Sequence, residues 1–543
     1  MPVITINKRY LARLLEGKTT DKSLEAQLSK LGLNVESIND SRISVEVTSN
    51  RPDLIWTVGL SRAIRHFVHR TRKVRYAVKG GDPAISINVG SSVGSVRPYI
   101  AGLVARGLKL DDDSLADFLA SVDKFSDTFG RARRKIAVGM HNLDFVSGQL
   151  EYDAYGDEAF RPLGCDKELS YKEILEDTEK GRRYAGAITG AGKRQYPALK
   201  DSNGTLAFIP IINSERTRVT KSTKDLLIDV TGTSEYLINK TADLLAANFI
   251  DMGGEISRVQ VNYGKRAVLT PQMSQDDIVV PIAAIEGDLG VKIGANNAAT
   301  LGGKMGYAVS YTGSYMKFTV PAYRFDVLND QDVIEDLAIA YGYDYIRPVP
   351  VRSVQQGSLD PLTIFRSRAE EGMIGLGFTQ MMNSYLSNDA LNFTKMRLEP
   401  DGSAVRIKNP KSEAITIMRT WIMPSLLKNI SLSLNERSPL EAFELDMAFA
   451  MKGRKASEEY RLAAVSTDPK SNFNSIKSVF EALAGELGIA YGLKRLDHRS
   501  FIPGRCASIL VRGKEAGLLG ELHPEVLNNF GIEEATAALE IIL

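Results

Sequence analysis

Four carboxylates stand close together between positions 326 and 336. Asp332 is followed three and four residues later by Glu335 and Asp336, which places them on one helical face with Cβ atoms about 5–6 Å apart. Asp326 precedes this helix, close enough to fold back to it. Such a group repels itself unless a cation is present, and Mg²⁺ prefers oxygen ligands. Acids in a first helical turn are also favoured by the helix dipole, so the spacing alone leaves a metal site and a solvated helix start both open.

A second group of polar side chains follows three apolar runs in the middle of the chain. Its members are His141, Asn213, Ser214, Glu215, Asp229 and Thr231. Sites for binding and catalysis are often built at the ends of strands and on the loops that follow them. A histidine with polar neighbours is also commonly a hydrogen-bonded loop residue. The residues alone therefore indicate a candidate site without deciding its chemistry.

Length and composition indicate a multidomain globular protein. At about 100–200 residues per domain, 543 residues predict three to five domains, and 43% apolar with 25% charged residues allow both cores and a solvated surface. The formal charge is only +2, from 68 basic and 66 acidic side chains. Any contact with nucleic acid is therefore expected to be local rather than spread over the whole surface.

Cysteine usage and the lack of long apolar runs predict the cellular compartment of the protein. Cys165 and Cys506 are the only cysteines, and their separation argues against a zinc site and for a reducing compartment. The first residues lead directly into an alternating apolar segment, with no charged leader, and no apolar run reaches the length of a membrane span. We expect a cytoplasmic protein without a membrane partner.

Periodicity predicts a multidomain α+β fold with four domains. We expect an N-terminal α/β domain at 1–87 and a mixed α+β domain at 88–268. A small helical, DNA-binding-like domain is expected at 269–347, carrying the acidic helix, and an antiparallel-sheet domain at 358–543.

Several strings in combination resemble the β subunit of phenylalanyl-tRNA synthetases of the archaeal and eukaryotic type, over essentially the whole chain. They include Asn-Arg-Pro-Asp at 50–53, Arg-Phe-Asp at 324–326, Asp-Val-Ile-Glu-Asp at 332–336 and Tyr-Gly-Tyr-Asp at 341–344. The resemblance implies that Asp326, Asp332, Glu335 and Asp336 bind a Mg²⁺ shared with a catalytic α subunit. It also implies an (αβ)₂ tetramer that attaches phenylalanine to tRNA(Phe) using ATP as co-substrate.

The same resemblance implies that the domain at 88–268 is an editing domain, which binds tRNA and hydrolyses tRNA wrongly loaded with tyrosine. Tyrosine differs from phenylalanine by one hydroxyl, which an apolar pocket rejects weakly. The hypotheses are that Glu215, Asn213 or Asp229 contacts that hydroxyl. The water that attacks the ester is then oriented by Ser214, His141 or Thr231. Asn142 and Ser234 stand where the family pattern has acids.

The last domain resembles the class II synthetase catalytic fold without its ATP-handling motifs. Phosphoryl transfer needs fixed cations, and neither the arginine of an Arg-x-Glu loop nor a Gly-rich motif with a second arginine is recognisable here. We expect a non-catalytic core domain that packs on the α subunit, with Arg419 and Arg505 in salt bridges or at an interface.

Two other interpretations compete with a ligase subunit. One is a free-standing hydrolase of misacylated tRNA that uses the middle domain alone. The other is a non-enzymatic nucleic-acid-binding scaffold built around 269–347. The densest basic run lies at Arg62, Arg65, Arg70, Arg72, Lys73 and Arg75, and it fits either a solvated helix face or a contact with tRNA phosphates.

Overall fold

The computed structural model describes residues 2–16, 20–68, 76–188, 195–351, 355–433 and 440–543. The chain divides into two compact units, Met1–Pro350 and Val351–Leu543. Among the described residues no helix combines the length and apolar character needed to cross a membrane.

The first unit opens with a small antiparallel sheet and three helices. Its elements are β1 (Val3–Asn7), α1 (Lys8–Leu14), α2 (Asp21–Lys30), β2 (Asn34–Ile38), β3 (Arg42–Glu46) and α3 (Thr57–Phe67), with strand order β1-β3-β2. Alternation in β1 points Ile4 and Ile6 inward and leaves Thr5 exposed. Asn7 caps α1 by accepting hydrogen bonds from the next backbone amides.

The basic run predicted after residue 61 does not form a free cationic face among the described residues. Arg62 is buried, with its Nη1 2.7 Å from an Asp251 carboxylate oxygen. Arg65 lies 4.0 Å from the same carboxylate. Arg70, Arg72, Lys73 and Arg75 lie outside the described residues.

A ten-stranded mixed sheet forms the centre of the first unit. Its region contains β4 (Lys79–Val89), β5 (Tyr99–Arg106), α4 (Asp112–Asp127), β6 (Ile136–Asn142), β7 (Gln149–Tyr155), β8 (Ala159–Phe160), β9 (Leu169–Ser170), α5 (Tyr171–Asp177), α6 (Glu179–Tyr184), β10 (Tyr196–Asp201), β11 (Gly204–Phe208), β12 (Ile212–Asn213), β13 (Leu226–Gly232), α7 (Glu235–Asp251), β14 (Glu255–Tyr263) and β15 (Arg266–Thr270). The order is β12-β11-β10-β7-β4-β14-β5-β13-β6, with β15 on β14 and a separate β8-β9 pair. β4 pairs in parallel with β7 and β14, and the other pairs are antiparallel.

The N-terminal elements and the central sheet share one hydrophobic core. Trp56, before α3, packs on Phe125 of α4 with ring centroids 4.7 Å apart, and both belong to the cluster that includes Leu245 of α7. The domain boundaries expected at 87/88 and 268/269 fall inside β4 and β15. The alternation in the sequence does not reveal which sheet each strand joins.

The remainder of the first unit combines three helices with three strands. These are β16 (Asp276–Pro281), α8 (Ile282–Leu289), α9 (Gly294–Lys304), β17 (Ala308–Thr312), β18 (Tyr315–Val320) and α10 (Asp330–Tyr341), in the order β16-β18-β17. Asn329 caps α10, and Asp332 completes the capping box from inside the helix. The unit expected to be mainly helical therefore also contains an antiparallel sheet.

The second unit is a seven-stranded sheet with helices packed on it. Its elements are α11 (Pro361–Gly375), β19 (Thr379–Gln380), β20 (Leu386–Ser387), α12 (Asp389–Asn392), β21 (Ile417–Met418), α13 (Met423–Ser433), β22 (Leu440–Lys452), β23 (Lys455–Thr467), α14 (Phe473–Glu486), β24 (Tyr491–Arg495), β25 (Phe501–Val511), β26 (Lys514–Leu522), α15 (Pro524–Phe530) and β27 (Thr536–Ile542). The order is β19-β22-β23-β27-β26-β25-β24, antiparallel except for β19 on β22.

Both arginines singled out in the second unit form ion pairs. Arg419 is fully buried, with Nη1 2.5 Å from Glu444 and Nε donating to the Met447 carbonyl at 2.9 Å. Arg505 pairs with Glu521 at 2.6 Å. Their charges are therefore balanced within this unit.

Candidate functional site

The register between β6 and β13 brings a histidine and an aspartate together inside the central sheet. Asp229 lies opposite Gly139, and Leu227 lies opposite His141, so Asp229 and His141 are diagonal neighbours on one face. The Asp229 carboxylate fits only because Gly139 has no side chain, since a Cβ there would lie 2.0 Å from Asp229 Oδ2. The glycine is therefore part of the site.

The histidine links this aspartate to a threonine from a distant loop. His141 Nε2 is 3.1 Å from Asp229 Oδ2, and His141 Nδ1 is 2.8 Å from Thr217 Oγ1. All three residues are almost completely buried, at 0% exposure for His141, 2% for Asp229 and 1% for Thr217. They form a continuous hydrogen-bonded row through the protein interior.

The loop after β12 is fixed by its own polar side chains. Asn213 Nδ2 donates to the Met140 carbonyl at 3.0 Å. The Ser214 hydroxyl accepts from the Arg216 amide at 3.3 Å and so caps the short helical turn that ends at Thr217. Glu215 accepts from the Gly164 amide at 2.8 Å. These hydrogen bonds fix the turn that carries Thr217.

A cavity of about 290 Å³ opens beside this turn. One wall is apolar and includes Val122 and Ile212, while Asn213, Ser214 and Thr217 supply polar atoms. The cavity is also lined by cationic side chains, namely Arg133, Lys180 and Arg218. An apolar slot with a few convergent polar groups is the usual form of a small-molecule site.

The six residues predicted for this site do not all reach the cavity. Asn213 and Ser214 line it, whereas His141 and Asp229 lie behind Thr217. The Glu215 carboxylate is engaged by the Gly164 amide and by Arg218, 3.3 Å away, and it is not among the lining residues.

Thr231 belongs to the sheet interior rather than to the cavity. Its hydroxyl accepts from Arg97 Nε at 3.0 Å and its carbonyl from Arg97 Nη2 at 2.7 Å. Burial lowers the pKa of Arg97 to about 10, which is still high enough to keep the guanidinium charged at neutral pH. Thr231 thus holds Arg97 and is not among the residues that line the cavity.

Thr217 is the functional candidate that sequence reasoning missed. It closes the same Asn-Ser-Glu-Arg-Thr run that supplied three of the predicted residues. Its contact with His141 joins residues 76 positions apart. A contact of that range depends on tertiary structure and leaves no trace in local spacing.

The acidic residues around α10 are gathered around an arginine. Arg324 Nη2 lies 2.8 Å from one carboxylate oxygen each of Asp326 and Asp336. The Tyr307 hydroxyl also donates to Asp336, at 2.5 Å. Burial by itself lowers the pKa of Arg324, but Asp326 and Asp336 together raise it well above its ordinary value. The guanidinium is therefore a permanent cation between these two acids.

The other two acids of the predicted metal set are separate from this pair. Asp332 accepts from the Leu328 and Asn329 amides, at 2.7 and 3.0 Å, as the helix cap, and Glu335 is exposed. Across the residues that the structure describes, no three His, Cys, Asp or Glu side chains are close enough together to hold a metal ion. The predicted Mg²⁺ site of Asp326, Asp332, Glu335 and Asp336 does not fit this arrangement, because Asp326 and Asp336 are already paired with Arg324 and Asp332 accepts from backbone amides.

The Asn-Arg-Pro-Asp element at 50–53 joins this cluster. Arg51 makes a two-point ion pair with Asp53 at 2.9 and 2.8 Å, and its Nε lies 3.9 Å from Asp326. Arg51 and Asp53 are both buried. The element is therefore structural and connects the start of α3 to the strand-to-helix turn before α10.

Protein-family models match two parts of the chain. Residues 278–343 match the tRNA synthetase B5 domain, and residues 347–543 match the phenylalanyl tRNA synthetase beta chain CLM domain. A crystal structure of an N-terminal fragment of the phenylalanyl-tRNA synthetase beta subunit from Pyrococcus horikoshii is similar, with a TM-score of 0.59 and 31% identity. The match covers 63% of this chain and 99% of the fragment.

Full-length relatives extend this similarity to the whole chain. The phenylalanine–tRNA ligase beta subunit of Archaeoglobus fulgidus is 37% identical over 550 residues, covering 100% of this chain and 98% of the relative. The protein of the same name from Pyrococcus horikoshii is 34% identical over 555 residues, covering 100% and 99%. Identity at this level across both compact units shows that the chain belongs to the phenylalanine–tRNA ligase beta subunit family, whose members are subunits of an aminoacyl-tRNA synthetase.

Proposed function

We propose that this chain works in the cytoplasm with a catalytic α subunit, in an (αβ)₂ tetramer that attaches phenylalanine to tRNA(Phe) using ATP and Mg²⁺. We further propose that the chain itself hydrolyses Tyr-tRNA(Phe) in the cavity beside Asn213. Mg²⁺ belongs in this proposal to the ATP chemistry of the complex. It is not assigned to the acids around Arg324, because Asp326 and Asp336 are already paired with that guanidinium.

The observation that carries the editing proposal is the composition of the cavity. Asn213 donates from Nδ2 to the Met140 carbonyl. Its amide oxygen is therefore the atom that accepts a hydrogen bond from a ligand. A tyrosyl hydroxyl donates such a hydrogen bond, and a phenylalanyl ring cannot. A site built around a buried polar partner discriminates strongly against a ligand that leaves this partner unpaired. Of the three residues considered for this contact, Asn213 is the one that lines the cavity.

The cations at the cavity support a polyanionic substrate. Lys180 is exposed at the edge of the pocket. Arg218 is also exposed, with Glu215 as its partner at 3.3 Å. Arg133 donates to the carbonyl groups of Pro210 and Ile211, at 3.1 and 2.9 Å, and pairs with Asp123, which also lines the cavity, at 2.8 Å. Lysine and arginine near phosphates supply most of the affinity for nucleic acid. In a chain of nearly neutral net charge, this local group fits the end of an aminoacylated tRNA.

The need for a partner is supported by the second unit. Its helix α11 exposes Leu362, Ile364 and Ile374, at 40%, 42% and 56%, and Met382 after β19 is 84% exposed. We expect a partner subunit to cover these apolar side chains. Arg419 and Arg505 are already paired with Glu444 and Glu521.

The test is co-expression with a candidate α subunit from the same genome. We expect the complex, and neither chain alone, to form Phe-tRNA(Phe), and the complex to deacylate Tyr-tRNA(Phe) faster than Phe-tRNA(Phe). Asn213→Ala should lower Tyr-tRNA(Phe) hydrolysis by about 10- to 100-fold, as expected for loss of a buried hydrogen bond worth about 1–3 kcal/mol. Asn203→Ala, at an exposed turn, is the matched control and should hydrolyse normally.

Two outcomes would contradict the proposal in different ways. A complex that charges tRNA(Phe) but leaves Tyr-tRNA(Phe) intact would remove the editing activity and keep the ligase role. A monomeric chain that deacylates Tyr-tRNA(Phe) and gains nothing from an α subunit would favour the free-standing hydrolase.

A further inference from the structure

We propose that Thr217 holds the attacking water in this cavity, and that His141 and Asp229 act through Thr217 as positioning residues. The inference rests on the proposed hydrolysis of Tyr-tRNA(Phe) and adds the group that aligns the water. It concerns a residue that lines the cavity and whose hydroxyl ends the buried row of hydrogen bonds.

The direction of the hydrogen bonds follows from Asp229. A carboxylate only accepts, so the His141 nitrogen that faces it, Nε2, carries the imidazole hydrogen. In this tautomer Nδ1 is an acceptor, and the Thr217 hydroxyl donates its only hydrogen to it at 2.8 Å. The Thr217 oxygen therefore has lone pairs, and no hydrogen, to offer to a water in the cavity.

A hydroxyl held in this way fixes the orientation of a water molecule. The water donates one hydrogen to Thr217 Oγ1 and turns an oxygen lone pair toward the ester carbonyl carbon. Attack forms the bond from the water oxygen to this carbon and breaks the bond from the carbon to the ribose oxygen, which takes up a proton. The products are tyrosine and a free ribose hydroxyl, and no other reactant is consumed.

The other hydroxyls considered for this role are less suitable. Ser214 lines the cavity, but its hydroxyl accepts from the Arg216 amide at 3.3 Å and lies 3.4 Å from the Arg161 carbonyl. Thr231 is engaged by Arg97 and does not line the cavity. Of the three, Thr217 is the cavity residue whose hydroxyl is hydrogen-bonded to a fully buried side chain, that of His141.

The row is also rigid, which a positioning role requires. His141 and Asp229 lie on adjacent paired strands, and β13 is flanked on its other side by β5. Every residue of β13 is buried. The Thr217 oxygen is thus held by side chains from two paired strands of the sheet and not by its loop alone.

The test uses the αβ complex and measures Tyr-tRNA(Phe) deacylation by wild type, Thr217→Val and Thr217→Ser. Valine has the shape of threonine without the hydroxyl, and we expect kcat to fall about 10²-fold, the lower range for a positioned proton-handling group, with KM nearly unchanged. Serine keeps the hydroxyl and should restore most of the rate. Unchanged Phe-tRNA(Phe) formation in both variants would show that the complex is intact.

A double-mutant cycle separates positioning from simple stability. Asp229→Asn should slow deacylation in the wild-type background but add little in the Thr217→Val background, because both changes act through the same hydroxyl. Additive losses, or a serine variant as slow as the valine variant, would overturn the inference. A valine variant as fast as wild type would also overturn the inference, while the editing proposal would remain. A wild-type complex that does not hydrolyse Tyr-tRNA(Phe) would refute the editing proposal and this inference together.

Discussion

Replacing Arg324 with methionine removes the cation from between two buried carboxylates. The Arg324, Asp326 and Asp336 side chains are 2%, 9% and 7% exposed, so water cannot replace the lost guanidinium. Removing one partner of a buried ion pair costs about 3–5 kcal/mol, because the remaining charge is left uncompensated. Methionine keeps much of the length of arginine, which limits the loss of packing.

The loss of stability in the Arg324→Met protein should be concentrated at α10, which carries Asp336. Hydrogen exchange of the α10 amides, followed by mass spectrometry on the whole chain, measures the free energy of local opening. A loss of about 3–5 kcal/mol corresponds to exchange faster by a factor of about 10² to 4 × 10³. Arg347→Met, at an exposed arginine in the same unit, is the matched control and should exchange like wild type.

Two results would refute this reasoning. One is an Arg324→Met protein in which α10 is as well protected as in wild type. The other is a wild-type chain in which added Mg²⁺ increases protection of α10 and EDTA reverses the increase, because these acids would then be metal ligands and not partners of Arg324.

Three further predictions concern other buried groups. Gly139→Ala puts a Cβ 2.0 Å from Asp229 Oδ2, and the displaced carboxylate should slow Tyr-tRNA(Phe) deacylation about 10²-fold; an unchanged rate would exclude this geometry. Burial raises the pKa of Asp117 from 3.8 to about 6. The folded state therefore favours the protonated carboxyl. This group stabilises the folded protein below pH 4, and that contribution is lost as the pH rises through 6. Asp117→Asn should remove that loss and be more stable by about 3 kcal/mol at pH 8, with little difference near pH 4; equal unfolding midpoints at pH 8 would contradict it. Arg419→Met leaves Glu444 buried and unpaired, which should destabilise the second unit by about 3–5 kcal/mol in denaturant unfolding; a change below about 1 kcal/mol would show that the pair contributes little.

The acidic cluster shows what local spacing can and cannot predict. The interpretation that acids favour a helix start is correct for Asp332, which completes the capping box of α10. The metal interpretation placed a cation between the acids and did not pair them with Arg324, which stands two positions before Asp326 in the Arg-Phe-Asp string. An ion pair between residues two apart depends on the turn between β18 and α10, which spacing does not specify.

The candidate site was predictable only in part for a similar reason. Apolar runs followed by polar residues correctly marked Asn213 and Ser214 as cavity residues, and family resemblance predicted the family that the comparisons confirm. The row from Asp229 to Thr217 depends on the register of two strands and on a loop from a third. Mixed multidomain architecture was predictable from periodicity, whereas the shared core around Trp56 was not, because it joins elements far apart in the chain.

The position of β4 bears on how the protein folds as it is synthesised. β4 emerges early from the ribosome, but both strands that flank it, β7 and β14, come later, and the parallel partner of Lys79 is Ser257. Non-local parallel pairing is slow to form, and an unpaired strand is prone to aggregation. The central sheet therefore cannot close until nearly half of the polypeptide has been translated, and nascent chains shorter than this should depend most on chaperones.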